Sequence, residues 1–352
     1  MKIVTVIGAR PQFIKAAAVS RKIRKNNKEI IIHTGQHYDD NMSKIFFEEL
    51  NIPYPDYNLN VGSGGHGAQT GRMLEKIEEI IIKEKPDCLL TYGDTNSTIA
   101  GALAASKLLV PVAHVEAGLR SFNMAMPEEQ NRILTDHISK YLFAPTETAV
   151  KNLYKEGIDK NVFNVGDVMF DAILHFRKIA EEKSNILYKI GVNKKEYILA
   201  TIHRAENTND INRLKNIVEA LNESKELIIL PLHPRTRKYM QDYNLIFEEN
   251  VKVIDPVGYL DMVMLESNSK KIVSDSGGVQ KEAFFLDVPC ITLRDETEWV
   301  ETVENGWNVL VGADKNKIKD AIITFIPDKE KVNSFGDGRA SDKIVEILEK
   351  NN

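Results

Sequence analysis

Short apolar runs alternate with amphipathic stretches along almost the whole chain. Lys2–Ile7 reads as a buried strand, and Pro11 starts a helix that runs to about Arg24. Glu29–His33 is the next strand, followed by helices around Asn41–Leu50 and Gly67–Lys83. Strands at Asp87–Tyr92 and Pro111–Val115 flank a helix at Ser97–Leu108, and Lys140–Ala144 and Val162–Val165 complete the first half. A polar helix from about Phe170 to Lys183 leads to a linker near Ser184–Lys195. The pattern then restarts, with strands at Tyr197–Ala200, Leu227–Leu230, Val251–Ile254, Lys271–Ser274 and Cys290–Thr292. Strand and helix in strict alternation predict an α/β protein with parallel sheets. Two units of similar size are expected to face one another across a central cleft. A last helix at Ser341–Lys350 could pack on either.

Composition narrows the classes. With 43% hydrophobic and 28% charged residues over 352 positions, the chain can build two ordinary cores. A net charge of −5 without a Lys/Arg stripe argues against nucleic acid as a partner. No uncharged apolar run is long enough to span a bilayer, so no membrane is expected. The apolar start, Met1 to Ile7, runs straight into Gly8-Ala-Arg10-Pro11 without a cleavage-like site, which predicts a first strand and a cytoplasmic protein. Cys88 and Cys290 each lie in or beside a strand-like segment and read as buried free thiols.

In open parallel sheets, ligands collect at the carboxyl ends of the strands. The stretch Lys271-Ile-Val-Ser-Asp-Ser-Gly-Gly-Val-Gln-Lys-Glu282 is a strand, a glycine turn and a helix start. Free N–H groups at Ser276, Gly277 and Gly278 suit an anion such as a diphosphate, and Glu282, one turn on, suits hydroxyl donors such as a ribose. A plain chain reversal reads equally well from this stretch alone. Asp94 and Glu116 end two further apolar strands, and Glu128 and Glu129 follow Pro127 at a helix start. Clustered carboxylates push one another's pKa values apart, which lets an acid and a base coexist; Asp94 and Glu128 could instead serve as helix caps. Arg10 with Lys15, His203 with Arg204, and Arg235 with Arg237 stand at three more strand-to-helix junctions, as donors for phosphate or carboxylate. His114 and Glu116 share a strand face, and His33 and His37 another strand end. No spacing typical of a metal site accompanies them, so no metal is expected. Neither a G-x-G-x-x-G turn after the first strand nor a Walker sequence appears.

Seven blocks in order carry a resemblance: GARPQFIK at 8–15, TGQH at 34–37, YGDTNST at 92–98, HVEAGLRS at 114–121, PEEQNR at 127–132, HRAEN at 203–207 and DSGGVQKE at 275–282. The chain resembles the non-hydrolysing UDP-N-acetylglucosamine 2-epimerases over essentially its whole length. That resemblance implies the B-type glycosyltransferase fold, with Rossmann-like domains at 1–168 and 185–335 and a C-terminal helix, 336–352, crossing back to the first. It implies a reaction without cofactor, in which the C2 proton is removed while UDP leaves C1, and a glycal intermediate takes both back with C2 inverted. By motif, Asp94, Glu116, Glu128 and His203 fall on catalytic positions. Arg10, Lys15, Ser276, Gly277, Gly278 and Glu282 fall on UDP-binding positions. A homodimer is also implied.

Where the family pattern usually reads GTRPE, HRREN and TERPE, this chain has GARPQ, HRAEN and Thr297-Glu-Trp-Val-Glu301. These variants, with FFEELNIPYPDY, RSFNMAMPEE and LHPRTR, look like the branch acting on UDP-2,3-diacetamido-2,3-dideoxy-glucuronate in polysaccharide biosynthesis. That uronate is the expected substrate, with UDP-N-acetylglucosamine as the alternative. Gln12, Arg235 and Arg237 are then candidates to face the sugar carboxylate. Gln36, His37, Glu129 and Arg204 match a regulatory second site present in some members. A glycosyltransferase of the same fold and a catalytically silent nucleotide-sugar sensor are the readings from other classes; the carboxylate set favours proton chemistry over both.

Overall fold

The computed structural model describes residues 1–36 and 52–351. The helix expected at 41–50 lies outside them. The chain divides into two compact units, Met1–Ala172 together with Asn333–Asn352, and Ile173–Val332.

The first unit holds a parallel sheet of seven strands: β1 (Lys2–Ile7), β2 (Lys28–His33), β3 (Tyr57–Asn58), β4 (Cys88–Tyr92), β5 (Val112–Val115), β6 (Tyr141–Ala144) and β7 (Val162–Asn164). Their order across the sheet is β3-β2-β1-β4-β5-β6-β7. The central strands are continuous apolar runs because helices cover both faces, leaving no side for water. Helices Arg10–Ile23, His66–Glu84, Asn96–Lys107 and Pro127–Ile138 provide that cover.

The second unit repeats the plan with β8 (Ile198–Thr201), β9 (Ile228–Pro231), β10 (Val251–Ile254), β11 (Ile272–Ser274), β12 (Cys290–Thr292) and β13 (Asn308–Leu310), ordered β10-β9-β8-β11-β12-β13. Its core gathers Ile198, Leu214, Ile217, Leu221, Leu230, Val273 and Ile291. Both sheets reverse their winding beside the first strand of the unit, between β1 and β4 and between β8 and β11. Such switch points open a crevice at the strand carboxyl ends, where side chains can meet a ligand.

Two short strands, β3 and β13, carry too few residues to show a period in the sequence. The stretch expected to be a linker folds in part into a helix, Ile186–Ile190, which stops at Gly191 in the left-handed region. Cys88 and Cys290 are free and buried, and burial pushes both thiols up to about 12. Among the described residues no helix is long and apolar enough to cross a membrane.

Candidate active site

At the switch point of the first sheet, β1 ends in Gly8-Ala9 and the chain turns into the helix Arg10–Ile23. The Gln12 carbonyl accepts from the N–H groups of Gly8 (2.8 Å) and Ala9 (3.0 Å), and its amide donates to the Tyr92 carbonyl at 2.8 Å and to Thr98 Oγ1 at 3.0 Å. Gln12 thereby ties the end of β1 to the end of β4. Its polar atoms are engaged inside the unit. Arg10 opens this helix through its backbone; its side chain lies outside the described residues.

Lys15, one turn further, points back to the strand ends and forms a buried ion pair with Glu116. Glu116 follows β5 and holds φ at +76°, a costly conformation for a residue with a side chain. Asp94, after β4, pairs with Arg132. Burial pushes its carboxyl up, Arg132 and Lys15 pull it down, and Glu116 pushes it up again. The net direction is upward, while 31% of the side-chain surface stays open to solvent. Gly93 brings the two acids together: with φ at +63°, a Cβ there would stand 3.3 Å from Glu116 Oε2 and 3.4 Å from Lys15 Nζ. Two carboxylates and two cations thus share one recess, a setting suited to moving a proton.

Glu128 is exposed in the first turn of the helix Pro127–Ile138. It is three and four residues before Asn131 and Arg132, which bond the carbonyl and the carboxylate of Asp94, so helical spacing sets it on the Asp94 side. Glu129 does different work. Fully buried, it accepts from Ser121 N (2.9 Å), Phe122 N (2.8 Å) and Arg132 Nη1 (2.8 Å), which clamps the loop before the helix. Gln36 accepts from Ser97 N (3.0 Å) and Ser97 Oγ (2.7 Å) at the start of the helix Asn96–Lys107. His37 lies outside the described residues.

In the second unit, the turn after β11 places Ser276 as the N-cap of the helix Gly277–Phe285, with Gly278 exposed. A Cβ on Gly277 would come within 2.6 Å of Glu298 Oε1, so a side chain there would displace that carboxylate or shift the turn. Glu282 is buried and accepts from the Tyr259 hydroxyl at 3.0 Å. Burial pushes it up to about 7, against the pull of Tyr259 and Lys281. His203, after β8, sits 3.2 Å through Nδ1 from buried Asp275, whose carboxylate also receives the backbone N–H groups of His203 (3.1 Å) and Arg204 (3.0 Å). That pairing orients the ring. Arg235 bonds Thr208 Oγ1 (3.1 Å) and Asn209 Oδ1 (2.8 Å), and Arg237 pairs with exposed Asp255 at 3.2 Å. Both arginines are exposed and make these contacts within their own unit.

Sequence reasoning passed over Arg132, Asp136, Tyr259 and Asp275. Arg132 closes the PEEQNR block and Asp275 opens DSGGVQKE, so their positions were visible although their partners were not. Among the described residues no group of three or more His, Cys, Asp or Glu is arranged to hold a metal.

Residues 21–349 match the family model described as UDP-N-acetylglucosamine 2-epimerase. A protein of Methanococcus maripaludis described as a UDP-N-acetylglucosamine 2-epimerase homolog is 63% identical, over 99% of both chains. The UDP-2,3-diacetamido-2,3-dideoxy-D-glucuronate 2-epimerase of Pseudomonas aeruginosa is 55% identical over 99% of this chain and 100% of its own. The structure of Methanocaldococcus jannaschii UDP-GlcNAc 2-epimerase in complex with UDP-GlcNAc and UDP superposes with a TM-score of 0.92 at 52% identity, covering both chains completely. A glycosyltransferase of Rickettsia africae, 16% identical with a TM-score of 0.55, shares the fold alone.

Proposed function

The chain belongs to the UDP-N-acetylglucosamine 2-epimerase family, and from that premise we propose that it interconverts UDP-N-acetylglucosamine and its C2 epimer, UDP-N-acetylmannosamine. It is a UDP-sugar 2-epimerase, an isomerase. The observation that carries the chemistry is the recess of Asp94, Glu116, Lys15 and Arg132 around Gly93. One carboxylate takes the proton from C2 as the C1–O bond breaks, and the electron pair becomes the C1=C2 double bond of a glycal. A second acid returns a proton to the opposite face while a UDP oxygen attacks C1. Asp94, Glu116 and Glu128 supply these groups. On the second unit, the N–H groups at Ser276–Gly278 hold the diphosphate and Glu282 accepts from the ribose hydroxyls. His203, oriented by Asp275, serves the departing diphosphate.

The substrate assignment departs from the uronate expected from the sequence. A relative at 63% identity carries the N-acetylglucosamine description, and Gln12, Arg235 and Arg237 are all engaged within their own units. The uronate stands as the second reading, supported by the relative at 55% identity. Proton NMR in deuterated water, with each sugar in its own tube, separates the two. The proposal expects deuterium at C2 and manno product from UDP-N-acetylglucosamine. Exchange with the diacetamido-uronate alone would transfer the assignment to that sugar. Binding without exchange in either tube would remove both.

A further inference from the structure

We propose that His114 is a positioning residue of the epimerase reaction: bridging Asp136 and the Gly93 carbonyl, it fixes the peptide from which Asp94 projects. This rests on the proposed role of Asp94 and Glu116 as proton-transfer groups. His114 stands in the middle of β5 with its side chain wholly buried. Its Nε2 lies 2.8 Å from the Gly93 carbonyl and its Nδ1 lies 2.7 Å from Asp136 Oδ1. A carbonyl only accepts, so Nε2 donates. The second oxygen of Asp136 receives Arg120 Nη1 at 2.7 Å and Gly118 N at 3.1 Å, and Arg120 forks onto Glu156 at 2.6 and 2.7 Å. Burial pushes the Asp136 carboxyl up, but His114 and Arg120 outweigh it and hold it below the usual range. The ring is thus held at both nitrogens, by the Gly93 carbonyl on one side and the Asp136 carboxylate on the other.

The consequence falls on Gly93. Its N–H donates to the Val115 carbonyl at 3.0 Å while its own carbonyl takes the His114 proton, so this residue is gripped through the peptide on each side of it, in the left-handed region. Asp94 leaves from that peptide, and Glu116 stands two residues beyond His114 on the same strand end. A misplacement of about 1 Å in a reacting group can cost on the order of 100-fold in rate. Buried ion pairs seldom improve on apolar packing, so a charged network here is better accounted for by the orientation it imposes.

The test uses the whole protein with His114→Gln and Asp136→Asn. The expected result is a fall in kcat of about 100-fold with KM for the UDP-sugar changed by no more than about threefold, since the nucleotide contacts are untouched. In parallel, nitrogen-15 NMR of the unaltered protein should show a ring whose Nε2–H proton exchanges slowly. The absence of that protected proton, a kcat loss below about threefold in folded His114→Gln, or a KM rising in step with the kcat loss would each overturn the proposal. If the variant does not fold, the NMR signature still decides. Asp94→Asn and Glu116→Gln keep the two readings apart. Full activity in those variants removes the proposed function itself, whereas their inactivity beside an active His114→Gln removes only the positioning role.

Discussion

At the scale of single residues, the second unit contains a carboxyl that works against its own fold. Glu266 is wholly buried, and among the described residues neither of its oxygens has a hydrogen-bond partner. Burial, and then the nearby Glu282, push it well above the usual carboxylate range. The sign follows directly. Below about pH 4.3 the group is protonated whether the chain is folded or not, and its ionisation costs the fold nothing. Above that, the unfolded chain ionises and the folded one does not, so stability falls by about 1.4 kcal/mol for each pH unit until the folded group itself titrates. Glu266→Met, similar in length and apolar, should therefore raise the urea midpoint at pH 8 far more than at pH 5. An equal gain at both pH values would mean that packing, not ionisation, was relieved.

At the scale of elements, the helix Gly277–Phe285 carries the proposed diphosphate site at its start. Alanine is the better helix former by about 1 kcal/mol, so Gly277→Ala should help the helix. Its Cβ would instead strike the Glu298 carboxylate, which Arg294 holds at 2.9 Å, so that ion pair or the turn must shift. The expected outcome is a thermal midpoint changed little and an affinity for UDP about tenfold weaker, or about 1.4 kcal/mol. Titration calorimetry with UDP reads this, and wild-type affinity in Gly277→Ala would refute it. This helix also illustrates what the sequence discloses. Its glycines, its capping serine and Glu282 stand in one contiguous stretch, and a strand feeding a helix is a local pattern. Gln12 is the contrary case. Its role comes from Tyr92 and Thr98, 80 and 86 residues away, and no periodicity marks such a partnership. In the sequence His114 has only a place on a strand face for the same reason, because Asp136 and Gly93 become its neighbours only when the sheet closes. Substituents unusual for the family, such as Gln12, suggested a different sugar, although the hydrogen bonds give Gln12 a task inside the fold.

At the scale of the whole molecule, the chain returns to its beginning. Residues after Asn333 belong to the first unit, and the helix Ala340–Lys350 packs on Arg10–Ile23. Its start is capped from a distance by Asp171, which accepts from Ala340 N (3.0 Å) and Ser341 N (2.7 Å). Lys22 pairs with Asp342 at 2.7 Å, and the Tyr141 hydroxyl reaches the Asn351 carbonyl at 2.9 Å. Ile344, Val345 and Leu348 are buried. At roughly 1.5–3 kcal/mol for each large apolar side chain, the three contribute about 4–9 kcal/mol, an upper bound because the unfolded chain already hides part of that surface. A domain is stable by only about 5–15 kcal/mol, so this one helix is of the same order as the whole margin. Ending the chain at Val332 should therefore loosen the first unit selectively. Hydrogen exchange should show the amides of β1 and of Arg10–Ile23 losing protection, while those of β8 and β11 keep theirs, because every strand of the second sheet comes from residues before the cut. Equal loss in both sheets would show that the two units unfold as one. Unchanged protection in β1 would show that the apolar contacts of the last helix add little. The selective pattern would make the C-terminal helix a condition for the strand ends at Asp94 and Glu116, although it lies at the far end of the sequence from both.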